Sequence, residues 1–443
     1  MIFRRLSGGK GCSLMSATPG PDLHAYGYRE DEYAVHGNVR GHTAGGEVDA
    51  VDFVTRILVR RPTDADRFNG TLVVEWLNVS SGNDAAPEYT YLADELVRAG
   101  YAYAGVSAQF TGIEGGSGSV GLGNPAAAGL AGKDPERYGM LRHPGDAYCH
   151  NIFASIGESL RSAAQDADHP LTGLRVQRAL AVGESQSAMA LTTYTNEFAR
   201  AHGIYDGYLI HSRSASALPL GEVGAGVDIN GAFTGDPVTI RDDLDTPVLI
   251  VQTETDVLTN FRYHLARQPD TNRLRVWEIA GTSHADLHQI GPYEDMLGCP
   301  TPVNRGQQRF VLRAGLRHLN SWAAGATVPP AAPPLHLDHG DRTAEPVFVR
   351  DAFGNVLGGV RTPCVDAATQ KLSGVVEQPV SRICLLFGST ETVAPDLLAA
   401  RYGTREGYDK HYRDAADAAI AAGFMLADDR DAILADANPD LIP

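Results

Sequence analysis

The amino-acid sequence predicts an α/β protein in which a mostly parallel central sheet is flanked by helices. The segment from Thr71 to Ser107 has the pattern of a buried strand, an amphipathic helix and a second buried strand, and such a β-α-β unit makes its two strands parallel. Apolar runs then alternate with helical patterns as far as Trp322. The chain can also bury a large core, because 43% of its 443 residues are hydrophobic.

Before the first parallel strand, the sequence predicts two features. Residues 1–21 are rich in glycine and serine and offer little to bury, so we expect disorder there. Val48 to Val59 alternates apolar and polar residues, which is typical of a half-exposed strand at the antiparallel edge of a sheet. Residues 22–325 then form the main domain of this prediction.

The remaining elements of the main domain follow in order as helices and strands. They are a helix at Asn151–Ala164, a strand ending before Ser185, strands at Tyr205–His211, Thr246–Thr253 and Leu274–Ala280, and a helix at Gln307–Trp322.

Two loose segments interrupt this alternation, and a long tail follows it. Residues 112–145 are glycine-rich, and residues 212–245 are small and polar. Both segments follow strand ends on the side of the sheet where functional loops usually lie, so we expect at least one of them to cover the site. Residues 326–443 form a C-terminal extension without a motif of its own, which we interpret as packed against the main domain.

Composition and charge exclude several classes of partner. The formal net charge is -17, and no cluster of Lys and Arg interleaves with aromatic residues, which argues against nucleic acid. No apolar window has the length of a membrane span, and no signal-peptide pattern follows the basic N-terminus. We therefore expect a cytoplasmic protein that acts on a small molecule. The sequence leaves the formation of a homo-oligomer open.

The five cysteines are scattered along the chain without the close spacing of a zinc site. They are Cys12, Cys149, Cys299, Cys364 and Cys384. Their number is too small for a disulfide-built scaffold, and most are expected to be small core residues. A single disulfide among the last three remains open.

The first candidate site residue is Ser185, in the run Gly183-Glu-Ser-Gln-Ser187. A buried strand that stops at glycine and passes directly into a helix forces the middle residue into a strained turn that lifts its side chain above the sheet. Ser187 replaces the last glycine of the G-x-S-x-G motif, and serine is small enough for the helix to pack closely. Taken alone, the pentapeptide equally fits a strand-to-helix loop with capping serines.

Two further motifs follow strand ends. Glu254 and Asp256 come after the strand at residues 246–253, and His284 follows the next strand. The order serine, acid, histidine at successive strand ends is the order of a catalytic triad in this type of sheet. We predict Asp256 as the acid, because it lies farther past its strand, and keep Glu254 as the alternative.

This set of residues fits nucleophilic catalysis. A serine hydroxyl attacks only when a base removes its proton, which histidine does near neutral pH. The carboxylate fixes the tautomer of the imidazole and stabilises its protonated form. The developing oxyanion needs donors, for which we predict the backbone N–H groups of Gln186 and Val79.

Together the motifs resemble the α/β-hydrolase superfamily over the range from Thr71 to Trp322. More narrowly, the chain is similar to a large group of bacterial "alpha/beta hydrolase domain" proteins. The resemblance rests on Gly183–Ser187, Thr253–Asp256, Gly281–His284, Gly359–Pro363 and Leu386–Thr390.

The resemblance implies the α/β-hydrolase fold with inserted segments and a C-terminal extension. It also implies a serine hydrolase of the carboxylesterase type that forms an acyl-enzyme and needs no cofactor or metal. The sequence departs from the superfamily at Ser187 and lacks the His-Gly run of lipases in the loop around Val79.

Three alternatives stay open. The same scaffold supports an amidase or a lyase, since a fold does not fix a reaction. A non-catalytic protein could bind a ligand in the same pocket. A metalloenzyme would have to use His336 and His339, which form the one tight pair of metal-ligand candidates in the sequence.

Overall fold

A computed structural model describes residues 1–12, 14, 20–120, 127–162, 168–340, 345–376 and 381–443. Its strands are β1 Ile2–Arg5, β2 Tyr28–Thr43, β3 Gly46–Pro62, β4 Thr71–Trp76, β5 Ala102–Val106, β6 Gly115–Gly116, β7 Ala127–Ala128, β8 Arg178–Glu184, β9 Gly207–His211, β10 Val248–Thr253, β11 Leu274–Ile279, β12 Leu337–Asp338, β13 Val347–Phe348, β14 Gln370–Ser373 and β15 Ser389–Thr392.

Its α-helices are α1 Pro87–Arg98, α2 Phe110–Glu114, α3 Leu130–Lys133, α4 Pro135–Tyr138, α5 Cys149–Arg161, α6 Gln186–Thr193, α7 Ala199–His202, α8 Ile229–Ala232, α9 Glu254–Leu258, α10 Leu287–Ile290, α11 Gln308–Ala323, α12 Pro363–Asp366, α13 Arg382–Phe387, α14 Pro395–Tyr402, α15 Arg405–Ala421 and α16 Arg430–Ala435.

The described residues form one large sheet with the strand order β1-β2-β3-β5-β4-β8-β9-β10-β11. From β5 to β11 in this order, neighbouring strands are parallel. The first three strands pair antiparallel with one another, and β3 joins β5 in the same sense. All residues of β4 and β10 are buried, as expected for parallel strands covered on both faces. The predicted α/β class with a mostly parallel sheet is therefore confirmed.

Helices cover both faces of this sheet. Apolar residues of α5 and α6, such as Phe153 and Leu191, pack with one face, and those of α1 and α11, such as Leu96 and Phe310, pack with the other. Since the parallel strands all point the same way, the segments after β4, β8, β10 and β11 meet at the carboxyl ends of these strands. The candidate site lies at this end of the sheet.

The N-terminal region differs from the prediction. Ile2–Arg5 forms β1, which pairs antiparallel with β2, so the expected disorder of residues 1–21 is wrong for these four residues. Backbone hydrogen bonds to β2 replace the apolar burial that the segment lacks. Residues 13 and 15–19 lie outside the described residues.

The predicted edge strand is an internal strand. Val48–Val59 belongs to β3, which pairs with both β2 and β5. The pattern of β2 was not recognisable in the sequence, because the charged residues from Arg29 to Glu32 hide its alternation. Among the described residues, the edge strand on the antiparallel side of the sheet is therefore β1.

The C-terminal extension packs on the helices beside β11. Ala416 and Ala419 of α15 are buried in the cluster that contains Trp277 of β11, and the ring of Phe424 lies 5.3 Å from that of Trp277. Among the described residues, no helix has the length and apolar character needed to cross a membrane.

Cys299 and Cys384 form a disulfide, and Cys364 is free. The bond joins the segment after β11 to α13 of the extension. Disulfides are typical of proteins from oxidising compartments, so this bond does not favour the expected cytoplasmic location.

Candidate active site

Ser185 lies in a strained turn between β8 and α6. Its backbone has φ +62° and ψ -120°, a conformation that residues other than glycine rarely adopt. The elbow is tightly packed, since a Cβ atom on Gly183 would lie only 3.0 Å from Cβ of Ser187. Position 183 therefore needs glycine and position 187 a small residue, and serine meets the second requirement.

The structure brings Ser185, His284 and Asp256 together. Ser185 Oγ lies 2.9 Å from His284 Nε2, and His284 Nδ1 lies 2.7 Å from Asp256 Oδ1. The other carboxylate oxygen of Asp256 accepts hydrogen bonds from Thr253 N at 2.8 Å and from Thr253 Oγ1 at 2.7 Å. These contacts form one continuous chain from the hydroxyl to a fixed carboxylate.

Electrostatics keep Asp256 ionised. Burial alone would raise the pKa of its carboxyl group, but the charge of His284 and the hydrogen bonds from His284 and Thr253 outweigh burial and lower this pKa below its usual value. A buried anion thus faces the Nδ1 side of the imidazole.

Glu254, the alternative acid, has different contacts. Its Oε1 accepts a hydrogen bond from Gly281 N at 2.6 Å, and its Oε2 accepts one from Gly374 N at 3.0 Å. Burial raises the pKa of Glu254 to about 7. Glu254 therefore joins the start of α9 to the loop before His284 and to the C-terminal extension, while Asp256 contacts the imidazole.

The extension braces these loops, a role that the sequence analysis did not foresee. Thr255 Oγ1 donates to Gly374 O at 2.6 Å and accepts from His284 N at 3.1 Å. Ala285 N donates to Leu386 O at 3.0 Å. A Cβ atom on Gly374 would lie 2.4 Å from Thr282 O, so glycine is required at this contact. The sequence contains no local signal for contacts that join residues more than 100 positions apart.

The two predicted oxyanion donors lie on neighbouring loops. Gln186 is the first residue of α6, so its N–H has no acceptor within the helix. Val79 N donates to the side-chain Oε1 of Gln186 at 3.3 Å. Asn78 holds the loop against the elbow, because its Nδ2 donates to Glu184 O at 3.0 Å and its Oδ1 accepts from Ser80 N at 2.8 Å.

A buried polar network behind these donors was also missed. Gln186 Nε2 donates to Gln109 Oε1 at 2.5 Å, and Trp76 Nε1 donates to the same oxygen at 3.0 Å. Gln109 Nε2 in turn donates to Asp146 Oδ2 at 3.3 Å. The network fixes the orientation of the Gln186 amide and, through it, the position of the Val79 N–H.

Residues of both loose segments lie close to the site. Ser185 is 8% exposed and His284 is 4% exposed. The Phe261 ring lies 4.4 Å from the imidazole of His284, and Phe233 of the segment 212–245 lies 5.1 Å from Phe261. Val120 of the segment 112–145 packs against the same cluster. Residues 121–126 of that segment lie outside the described residues.

An open cavity of about 400 Å³ lies between residues of the two segments. It is lined by Phe110, Thr111, Gly116, Ser119, Gly226 and Asp228, among others. In the described part of the chain, no group of three or more His, Cys, Asp or Glu side chains is placed to hold a metal ion.

The chain is similar to known α/β hydrolases. A family model described as "Alpha/beta hydrolase domain" matches residues 3–435. Among solved structures, an α/β serine hydrolase from Xanthomonas campestris is 12% identical, with a TM-score of 0.32, and the match covers 64% of this chain and 94% of that one. A fungal esterase structure from Rhizomucor miehei is 10% identical, with a TM-score of 0.33 and coverage of 66% and 85%.

No curated protein matched the sequence. The family match nevertheless extends over almost the whole chain, including the insertions and most of the C-terminal extension. The protein belongs to the alpha/beta hydrolase domain family.

Proposed function

We propose that the protein is a serine carboxylic-ester hydrolase that works through an acyl-enzyme. The observation that carries this proposal is the chain of contacts from Ser185 Oγ to His284 Nε2 and from His284 Nδ1 to Asp256 Oδ1, at 2.9 and 2.7 Å. A hydroxyl, a base and a buried carboxylate in this order activate the hydroxyl as a nucleophile.

In the proposed reaction, Ser185 Oγ attacks the carbonyl carbon of the ester while His284 Nε2 takes the hydroxyl proton. Asp256 accepts the Nδ1–H hydrogen bond, which leaves Nε2 free to act as the base. The protonated imidazole then gives its proton to the leaving alcohol, and the acyl group stays on Ser185. Water, activated by the same histidine, attacks the acyl-enzyme and releases the acid.

The tetrahedral intermediate carries a negative oxygen that needs donors. The N–H of Gln186 is available, and the N–H of Val79 lies in a long, 3.3 Å contact with the Gln186 side chain. We propose that the oxyanion replaces this weak contact. The fixed Gln186 amide would then serve to hold the Val79 N–H in place before substrate arrives.

The test compares the wild-type protein with Ser185→Ala on p-nitrophenyl esters and on the matching p-nitroanilides. The fold should tolerate the change, since alanine adds no atom to the elbow. Loss of the nucleophile should reduce turnover by about a million-fold. Normal hydrolysis by this variant would refute the proposal.

The same panel separates the alternatives. A preference for anilides would indicate an amidase. If the wild-type protein hydrolyses neither series and an organophosphonate probe leaves Ser185 unlabelled, a binding protein is favoured.

A further inference from the structure

A second buried carboxylate lies beside the imidazole of His284. Glu184 directly precedes Ser185, and its Oε1 lies 3.8 Å from His284 Nε2. Glu184 is only 3% exposed. Asp256 meets the imidazole at Nδ1, so the ring lies between two carboxylates. The reaction described above assigns no task to the one at Nε2.

Several titratable groups face Glu184 from neighbouring elements. His284 comes from the loop after β11, Asp256 from α9 after β10, His211 from β9, and Glu88 and Tyr91 from α1. Glu184 and His211 are direct neighbours on parallel strands. Burial is the largest effect on Glu184, and it raises the pKa to about 7 although both histidines favour the anion.

His211 forms a separate buried pair with Glu88. Its Nδ1 lies 3.0 Å from Glu88 Oε1. Burial disfavours the charged form of His211, but the charge of Glu88 and the hydrogen bond outweigh burial and raise the pKa of His211 to about 9. His211 therefore has a carboxylate partner of its own in Glu88, while it also interacts with the charge of Glu184.

We propose that Glu184 is a positioning residue whose carboxylate stabilises the imidazolium form of His284 from the Nε2 side. The inference rests on the proposed function, because the imidazolium exists there from the attack of Ser185 until the proton reaches the leaving alcohol. A negative charge within about 4–6 Å of an imidazole favours its protonated form. Because Glu184 and His284 are both buried, salt screens the attraction between them only weakly. At 3.8 Å the contact acts through charge, and Nε2 keeps its hydrogen bond for Ser185.

A purely structural role would have a different basis. The backbone carbonyl of Glu184 accepts the hydrogen bond from Asn78 that holds the loop around Val79 in place. Glu184→Gln keeps this backbone contact and the side-chain shape, and it removes the charge alone. The variant therefore separates the two roles.

The first test measures the pKa of the His284 imidazole by NMR titration of histidine-labelled protein, with the signal assigned by its loss in His284→Gln. Glu184→Gln should lower this pKa by about one unit, which is a tenfold loss of proton affinity. Glu75→Gln is the matched control, since Glu75 is also fully buried but bonds to Tyr103 and α1. An unchanged His284 pKa in Glu184→Gln would overturn the inference, whether or not the protein hydrolyses esters.

The second test compares kcat/KM of wild type and Glu184→Gln across pH. Burial raises the pKa of Glu184 to about 7, so Glu184 becomes protonated in the wild type as the pH falls through this value, and the kcat/KM values of the two proteins should converge in acid. The ratio of the wild-type kcat/KM to that of Glu184→Gln should rise as Glu184 ionises, and should reach about tenfold in alkaline solution. A ratio that is the same at every pH would assign Glu184 a structural role and overturn the inference. Absence of hydrolysis by the wild type would count against the proposed function alone, since the NMR titration still decides the inference.

Discussion

The two carboxylates after β10 should respond very differently to conversion into amides. In Asp256→Asn, the oxygen of the amide can accept the two hydrogen bonds from Thr253 only if the NH₂ group faces His284 Nδ1. Nδ1 would then have to accept, and Nε2 would carry the proton and could not act as the base. We expect a loss of about ten-thousand-fold in kcat, or about 5 kcal/mol in the barrier, with the fold retained.

In Glu254→Gln, the amide would instead face two backbone donors, Gly281 N and Gly374 N. One of these hydrogen bonds must be lost, which should cost about 1–3 kcal/mol of stability. Turnover of the folded protein should change by less than about tenfold, since the contacts among Ser185, His284 and Asp256 remain.

The assay is kcat on a p-nitrophenyl ester, together with the free energy of unfolding from urea titration. A folded Glu254→Gln with crippled turnover beside a nearly normal Asp256→Asn would refute the assignment of the acid.

Two further predictions concern the surroundings of the site. Phe233→Ala should shift the preference along a series of p-nitrophenyl esters by roughly tenfold toward longer acyl chains, because the ring that packs on Phe261 is removed. Val223→Ala, an exposed change in the same segment, is the control, and identical profiles for both variants would argue against a lid. Reduction of the disulfide between Cys299 and Cys384 should lower the free energy of unfolding by on the order of 4 kcal/mol, since the bond closes a loop of 85 residues. An unfolding midpoint that is insensitive to reductant would contradict this.

The sequence predicted the parts of the site that depend on local pattern and strand order. The turn at Ser185 follows from a strand that the sequence predicts to stop at Gly183, and His284 lies in the loop after the next predicted strand beyond Asp256. Parallel strands bring such ends to one edge, so the motifs were sufficient to place all three residues close together.

The sequence favoured Asp256 over Glu254 only by its place past the strand, and the contacts of the two carboxylates could not be predicted from it. Asp256 is held by a capping box with Thr253, which fixes one carboxylate oxygen and leaves the other for His284. The sequence pattern allowed either acid, since side-chain direction in a tight turn depends on such hydrogen bonds. The sequence pattern also gave no sign of the contact between Glu184 and His284, because this contact depends on how the ends of β8 and β11 approach each other.

The long-range contacts of the extension could not be predicted at all. Gly374 and Leu386 bond to the loops around Thr255 and Ala285, more than 100 residues away in each case. Their own sequence context predicted no catalytic role, and the apolar run Ile383–Phe387 lies in the helix α13. Ser381 caps this helix by accepting a hydrogen bond from Cys384 N, which favours the helical form.

Detection of the acyl-enzyme would test the proposed mechanism most directly. Rapid acid quenching of the wild-type protein during turnover of a p-nitrophenyl ester, followed by peptide mass spectrometry, should find the mass of the acyl group on the peptide that contains Ser185. We predict one acyl group per chain on Ser185 and none in Ser185→Ala. Hydrolysis at the wild-type rate by Ser185→Ala, or an acyl group on a different residue, would contradict the proposed mechanism.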